Sequence, residues 1–119
     1  MLGDTISLTI GGTARVLSKI NQDQNASEYF LKIATGEFRL RFKHSKDRVA
    51  NGAPQRDRHI MTLTETVYPT PTSFGLTRTS QMTIVGEYLD DSGLQADNLV
   101  GLQGFATKAN LTKVINWEV

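Results

Sequence analysis

The chain has 119 residues, the length of one domain and enough to bury a core without disulfide or metal support. The absence of cysteine excludes disulfides, thiolate metal sites and thiol catalysis, and 39% apolar with 21% charged residues is typical of a globular protein rather than a disordered one. The formal charge is +1, but residues 37–59 carry seven Lys and Arg against three Asp and Glu, whereas residues 87–119 carry two against five. This segregation favours one surface that faces a polyanion and an opposite surface that faces elsewhere.

The first part of the chain predicts strands. Alternating apolar residues at 5–10, a Gly11-Gly12 turn and a second apolar segment at 14–20 are typical of a β-hairpin. Residues 21–27 are polar and predict a loop. Alternation resumes at 28–34 and predicts a third strand, which ends at a turn.

The clearest strand prediction covers residues 38–44. Three apolar residues, Phe38, Leu40 and Phe42, point to one side. The residues between them, which point to the other side, are Arg39, Arg41 and Lys43.

Two more long strands are predicted at 58–68 and 77–89. Residues 45–57 separate the first of them from the preceding strand as a charged, exposed loop. Residues 69–75 must also form a loop, because Pro69 and Pro71 cannot both lie in a central strand.

The pattern changes after residue 89. Asp90, Asp91 and Ser92 offer side chains that cap a helix N-terminus. Apolar residues at roughly helical spacing predict a first helix up to residue 106 and a shorter second helix at 107–117. Strands followed by helices indicate an α+β fold with an antiparallel sheet. We expect one domain over 1–119, with the hairpin and sheet in 1–89 and a helical dimerisation segment in 90–119.

Two short helices can cover only part of the apolar face of such a sheet, and the remainder would be adhesive. A symmetric dimer, in which the helices of each subunit help to cover the other sheet, is the simplest solution. The residues that we expect at this dimer interface are Leu94, Leu99, Leu102, Phe105, Leu111, Val114 and Ile115.

Motifs for catalysis and metal binding are scarce. The chain has no Gly-rich phosphate loop with a lysine, no GxGxxG and no HExxH. His44 and His59 flank the basic loop without a carboxylate pattern that would complete a metal site, so solvated or phosphate-contacting roles are favoured. No apolar run approaches the roughly 18 residues of a membrane span. We therefore expect no enzyme activity, cofactor, metal, small-molecule substrate or membrane partner.

The cationic row at 39, 41 and 43 carries the most functional information. If strands 38–44 and 58–68 are neighbours, the row lies beside Thr62, Thr64 and Thr66. Cations neutralise phosphates, and threonine hydroxyls bond to phosphate, ribose or base edges. A sheet platform of this kind suits single-stranded or hairpin RNA better than the major groove of DNA. The alternative is a merely soluble sheet face, since exposed strands often carry Lys and Arg.

The order of elements resembles that of the coat proteins of single-stranded RNA bacteriophages, the levivirus-like group. The resemblance covers essentially the whole chain. It rests on the N-terminal hairpin, the strand opening at 57–64 (DRHIMTLT), the Pro/Thr-rich loop, the strand at 81–88 and the helical ending at 111–118 (LTKVINWE).

The resemblance implies an N-terminal hairpin and an antiparallel sheet of about five strands, followed by two helices, in an intertwined dimer whose sheets pair edge to edge. Such dimers would assemble in the bacterial cytoplasm into an icosahedral capsid, or a virus-like particle, around single-stranded RNA. The sheet face would contact the RNA genome and would also bind an operator hairpin as a translational repressor. The residues implied as RNA-binding are Arg39, Arg41, Lys43, Thr62, Thr64, Gln81 and Thr83. The loop implied in contacts between dimers consists of Pro69, Thr70, Pro71, Thr72, Ser73, Phe74 and Gly75.

One departure from the family concerns hairpin recognition. Relatives often stack an unpaired base on an aromatic residue in the last sheet strand, which contributes about 1–3 kcal/mol, and here the nearest position is Thr79. This departure counts against a specific hairpin complex and not against general RNA contact. Two other classes stay open: a small non-capsid β-sheet module that binds RNA or DNA, and a small enzyme or ligand-binding domain, which would need a concave pocket.

Overall fold

The structure is a computed structural model, and it describes residues 2–47, 52, 55–87 and 90–117. Six strands come first and two helices follow, which confirms the α+β class. The strands are β1 Thr5–Ile10, β2 Thr13–Gln22, β3 Ala26–Ile33, β4 Gly36–Lys46, β5 Arg56–Val67 and β6 Leu76–Glu87. The helices are α1 Ser92–Phe105 and α2 Lys108–Ile115.

All six strands form one antiparallel sheet in the order β1-β2-β3-β4-β5-β6. This differs from the expected hairpin beside a sheet of about five strands, because β2 also pairs with β3, from Ser18 opposite Phe30 to Gln22 opposite Ser27. The β2–β3 register shifts between Lys19 and Asn21. Such an irregularity bends a strand, and the sheet curls so that the hairpin packs over its apolar face.

Several strands are longer than the sequence predicted. The expected loop at 21–27 shrinks to a tight turn, in which the Asp23 carboxylate accepts hydrogen bonds from the backbone N–H groups of Asn25 (2.7 Å) and Ala26 (2.8 Å). The expected loop at 45–57 is shortened at both ends by β4 and β5. Its centre, residues 48–51 and 53–54, lies outside the described residues, as do the predicted strand end at 88–89 and the chain end at 118–119.

The buried core lies between the hairpin and the apolar face of β3 and β4. Among the described residues four apolar side chains are buried, namely Leu17, Tyr29, Phe38 and Leu40. Partly buried side chains that pack around them are Ile6, Leu8, Ile10, Leu31, Ile33, Phe42 and Leu63. The hydroxyl of Tyr29 donates a 2.6 Å hydrogen bond to the carbonyl of Gly3, which satisfies the polar end of this buried ring. The predicted apolar side of β4 is therefore the core side.

Both helices are capped, α1 as predicted, but they are barely packed. Asp91 accepts hydrogen bonds from the N–H groups of Gly93 and Leu94 at the start of α1, and Thr107 caps α2. Neither helix has a buried residue among the described residues. The apolar face of β5 and β6 stays partly bare, with Met82 40% exposed. Neither described helix is long and apolar enough to cross a membrane.

The chain is more extended than a compact monomer of its length. Its radius of gyration is 17.1 Å, whereas a compact chain of this length has about 13.5 Å. Its accessible surface is 9243 Å², against about 6,400 Å² for a folded monomer of this mass. The excess, about 2,800 Å², is surface that a compact monomer would bury.

Candidate nucleic-acid interface

The register of β4, β5 and β6 brings the predicted RNA-binding residues together. Residues directly opposite one another in an antiparallel sheet share a face. From β4 to β6 the three rows are Arg39–Thr64–Thr79, Arg41–Thr62–Gln81 and Lys43–Ile60–Thr83. All seven predicted residues therefore lie on one face, the polar face, which is opposite to the face that carries Phe38 and Leu40.

The centre of the polar face is a shallow depression that is open to solvent. The side chains around it are Arg39, Arg41, Lys43, Ile60, Thr62, Thr64 and Gln81. Gln81 donates a weak hydrogen bond to the hydroxyl of Thr83, at 3.3 Å. Charged donors line one side of the depression, hydroxyl and amide groups line the other, and Ile60 provides the apolar part. The arrangement suits an extended polyanion with exposed bases.

A carboxylate that the sequence analysis missed sits within the cationic row. Glu28 in β3 lies opposite Arg41, and its Oε1 accepts hydrogen bonds from Arg39 Nη1 and from Arg41 Nε, the latter at 3.2 Å. Partial burial alone would raise the pKa of Glu28, but the hydrogen bonds and positive charge of the two guanidinium groups outweigh it and lower the pKa. Glu28 is therefore ionised at neutral pH, and it offsets one of the three positive charges of the row.

An aromatic ring that the sequence analysis also missed lies under the same row. Phe30 in β3 is opposite Arg39, and the guanidinium carbon of Arg39 lies 5.1 Å from the centre of the Phe30 ring. The alternation of β3 already placed Phe30 away from the core face. The sequence could not show which β4 residue it meets, because that depends on the β3–β4 register.

The positive charge of the basic stretch is lower than the sequence count indicates. Arg58 binds Asp47 through two hydrogen bonds, Nε to Oδ1 at 2.9 Å and Nη2 to Oδ2 at 3.2 Å. The hydrogen bond from Arg58 lowers the pKa of Asp47 and raises that of Arg58. Arg58 is thus already paired, whereas Arg41 and Lys43 are exposed on the polar face.

The two histidines do not contribute to the polar face. His44 and His59 are cross-strand partners on the opposite face, with their Nδ1 atoms 2.8 Å apart. The register turns both rings to the side of the sheet opposite the cationic row, and His44 is exposed to solvent. A contact of either ring with phosphate stays a prediction. Within the part of the chain that the structure describes, no cluster of three or more His, Asp or Glu residues could hold a metal ion.

The loop predicted for contacts between dimers, residues 69–75, joins β5 to β6. Thr70 and Ser73 form a small bridge, with Thr70 N–H donating to Ser73 O at 2.9 Å and the two hydroxyl oxygens 2.9 Å apart. Phe74 is 97% exposed. The loop therefore presents a bare aromatic side chain on a short, internally bonded support.

The residues predicted for the dimer interface share high exposure. Leu94, Leu102, Phe105, Leu111, Val114 and Ile115 are all exposed, and Leu99 is half-buried in the groove between α1 and β6. Trp117, which the sequence analysis left out of this set, is also exposed. No described part of the chain covers these side chains.

Comparison with known proteins identifies the family. Residues 3–87, which contain all six strands, match the family model "Phage phiCb5, coat protein". The fold is similar to that of the solved structure "Virus-like particle of bacteriophage AVE019", with a TM-score of 0.67 and 12% sequence identity over 96% of this chain and 94% of that chain. Among curated proteins none matches the sequence. The expectation of a bacteriophage coat protein without enzymatic activity is confirmed. The chain is a structural capsid protein and belongs to the phage phiCb5 coat protein family.

Proposed function

We propose that this coat protein pairs with a second copy of itself, and that the pairs assemble in the bacterial cytoplasm into an icosahedral shell around single-stranded RNA. The observation that carries the proposal is the separation of the two faces of the sheet. One face bears the cations and hydroxyl groups, and the other bears the core and the uncovered apolar surface. The polar face would point inward to the RNA, and the apolar face would be closed by the partner.

The need for a partner follows from the uncovered apolar surface. The excess of about 2,800 Å² is that of one chain, so a pair that buried it on both sides would hide about 5,600 Å², the size of the largest obligate homodimer interfaces, which bury about 2,000–5,000 Å² and more. In our proposal the segment 90–119 reaches over the partner sheet, and its exposed leucine, valine and aromatic side chains cover the apolar face around Met82 and Leu63. This intertwining explains why stable caps and an apolar composition coexist with the lack of buried residues in either helix.

The edge of β6 supports a continuous two-subunit sheet. β6 has 12 residues and is the last strand of the sheet, so its outer edge is available to another strand. Antiparallel pairing of β6 with β6 of the partner would satisfy two-fold symmetry. The two cationic rows would then lie five strand spacings apart, about 24 Å along the sheet, with the threonine and glutamine side chains of β5 and β6 between them. This is a platform for an extended or folded RNA strand.

Two narrower roles belong to the same proposal. Binding of an operator hairpin would make the subunit a translational repressor, and Thr79, in the row of Arg39, offers such a hairpin a hydroxyl group rather than a stacking ring. The loop at 69–75 would contact neighbouring dimers through exposed Phe74. The alternative function is a small non-capsid RNA-binding module. No feature of the structure favours this module over a capsid subunit.

Electron microscopy of the expressed protein tests the assembly. We expect spherical particles that contain nucleic acid, and size-exclusion chromatography after disassembly should give a dimer. A stable isolated monomer that still binds RNA would overturn the shell and the dimer together, and would favour the non-capsid module.

Simultaneous change of Arg39, Arg41 and Lys43 to Ser tests the polar face. We expect particles with much less RNA, measured as the ratio of absorbance at the nucleic-acid and protein maxima. The matched control changes Arg78, Lys108 and Lys113 to Ser, which removes three charges from outside this face. Equal RNA content in both triple variants would exclude the polar face as the RNA contact.

A further inference from the structure

The three cations of the row differ in what they have left to offer an RNA strand. Arg39 is engaged on two sides, by the Glu28 carboxylate and by the Phe30 ring, and its side chain is only 36% exposed. Arg41 meets Glu28 through Nε, and its side chain is 61% exposed. Lys43 has no hydrogen-bond or ion-pair partner among the described residues and is exposed. The three cations are therefore not equivalent as phosphate contacts.

We propose that Arg39 is a stacking residue for an unpaired RNA base, whereas Arg41 and Lys43 bind the phosphates of the same strand. This inference rests on the proposed function, because it assigns parts of the RNA to residues of the polar face. Phe30 and Glu28 are the positioning residues, since they hold the guanidinium group of Arg39 without reaching the RNA themselves.

The case for stacking starts from the charge of Arg39. Glu28 contacts both arginines, but it occupies a terminal nitrogen of Arg39 and only Nε of Arg41. A phosphate at Arg39 would therefore have to displace the carboxylate or accept its repulsion. A base carries no charge and meets no such penalty. A planar guanidinium group supported by an aromatic ring is also a good surface for a base, because bases stack on arginine planes as they do on aromatic rings.

The neighbours of Arg39 fit a base better than a phosphate. Thr64 is directly opposite Arg39 and Thr79 lies beyond it in the same row. Their hydroxyl groups can donate to and accept from the edge of a base. Arg41 lies two residues further along β4, about 6.8 Å away, with the terminal nitrogens of its guanidinium group outside the Glu28 contact. A strand running along β4 can therefore place a base on Arg39 and its phosphates on Arg41 and Lys43.

Salt dependence separates the two kinds of contact. Loss of one phosphate contact reduces the slope of log K against log salt by about 0.7 for a single strand. Loss of a stacked base weakens binding by about 5- to 150-fold and leaves the slope unchanged. The measurement is the binding of the full-length, disassembled protein to a short oligo(A) RNA, by fluorescence anisotropy at several salt concentrations.

Substitution of either arginine by lysine keeps the positive charge and removes the planar guanidinium group. The comparison of Arg39→Lys with Arg41→Lys is therefore the main test. We expect Arg39→Lys to bind RNA about 5- to 150-fold more weakly, with the same slope of log K against log salt as the native protein. We expect Arg41→Lys to bind nearly as the native protein does, because a phosphate accepts either cation. Arg41→Ser should reduce the slope by about 0.7. Phe30→Leu removes only the supporting ring, so it should weaken RNA binding without changing the salt slope. This variant tests the stacking role of Arg39 if Arg39→Lys does not fold.

Two results would overturn the inference, and they are distinguishable. If Arg39→Lys and Phe30→Leu bind as the native protein does while Arg39→Ser loses slope, Arg39 is a phosphate contact and the RNA-binding face stands. If the Arg39, Arg41 and Lys43 variants to Ser all bind oligo(A) with native affinity and slope, the RNA-binding face itself is wrong, and the stacking role fails with it.

Discussion

The first four strands and the two helices differ in the burial of their apolar side chains. β1 to β4 contain all four buried apolar side chains of the described chain, including Leu17 and Phe38. α1 and α2 contain none. The hairpin acts as an intramolecular cover for one half of the apolar face, and the other half, around β5 and β6, has no such cover. In the proposed dimer the second half of this face would be covered by another copy of the chain.

The same difference bears on folding. Each strand pairs with the next one in the chain, so the sheet is made of contacts that are local in sequence. The hairpin and its core can form within one chain. The helices gain little from packing on their own sheet, and in the proposed dimer their apolar side chains would gain a partner when two chains meet.

The largest expected effect comes from placing charge on the exposed apolar side of α1. The double variant Leu102→Asp with Phe105→Asp should yield no particles and no dimers, because two carboxylates would be buried without partners in the interface. Size-exclusion chromatography with light scattering and electron microscopy measure both losses.

The control for this variant is Ala96→Asp, which adds a single carboxylate to the same helix outside the predicted interface residues. Particles from Ala96→Asp and none from the double variant would support the contrast between the two regions. Normal particles from the double variant would mean that the helices are exposed in the shell, and that a different surface joins the subunits.

A truncation in the core tests the other region. Phe38→Ala should cost about 3–5 kcal/mol of unfolding free energy, because it leaves a cavity where the ring is 2% exposed. Phe74→Ala makes the same change at the 97% exposed loop position and should change that free energy by less than about 0.5 kcal/mol. Urea unfolding of the disassembled protein at one fixed concentration compares them. Equal costs would contradict the placement of the core under the hairpin.

The hydrophobic patterns of the sequence predicted most of the strands and helices. The register between neighbouring strands determines which side chains meet on the polar face. The strict alternation in β4 was enough to put Arg39 and Arg41 on one side and Phe38 on the other. It could not bring Glu28 and Phe30 under the row, because their partners depend on the length of the β3–β4 turn. The sequence predicted a loop at 21–27, but the turn between β2 and β3 covers only 23–25. The polar residues on both sides form hydrogen bonds in the sheet, which strand propensity alone does not reflect.

Glycine substitutions give a smaller test of the same contrast. A Cβ on Gly36 in β4 would stand 2.2 Å from the carbonyl oxygen of Thr66, and backbone cannot swing away. A Cβ on Gly86 in β6 would meet the end of the Gln95 side chain at 2.4 Å, which a rotamer change relieves. We expect Gly36→Ala to cost about 1–3 kcal/mol and Gly86→Ala to cost less than about 1 kcal/mol. Thermal unfolding of both variants at equal concentration measures the two losses. A larger loss for Gly86→Ala than for Gly36→Ala would mean that α1 is held rigidly against β6.

The smallest expected effect concerns Glu28 and depends on pH. Because the folded protein lowers the pKa of this carboxyl, its contribution to stability is complete above the usual glutamate pKa of about 4.3 and is lost as the pH falls through the depressed value. Glu28→Gln should therefore cost less than about 1 kcal/mol at neutral pH, as expected for a partly exposed ion pair, and nothing in strong acid. Unfolding free energies of the native protein and Glu28→Gln, measured across the acidic range, give this difference directly. A difference that stays constant down to the lowest pH would mean that the Glu28 contacts are polar packing rather than an ion pair, and that Arg39 carries a full charge on the polar face.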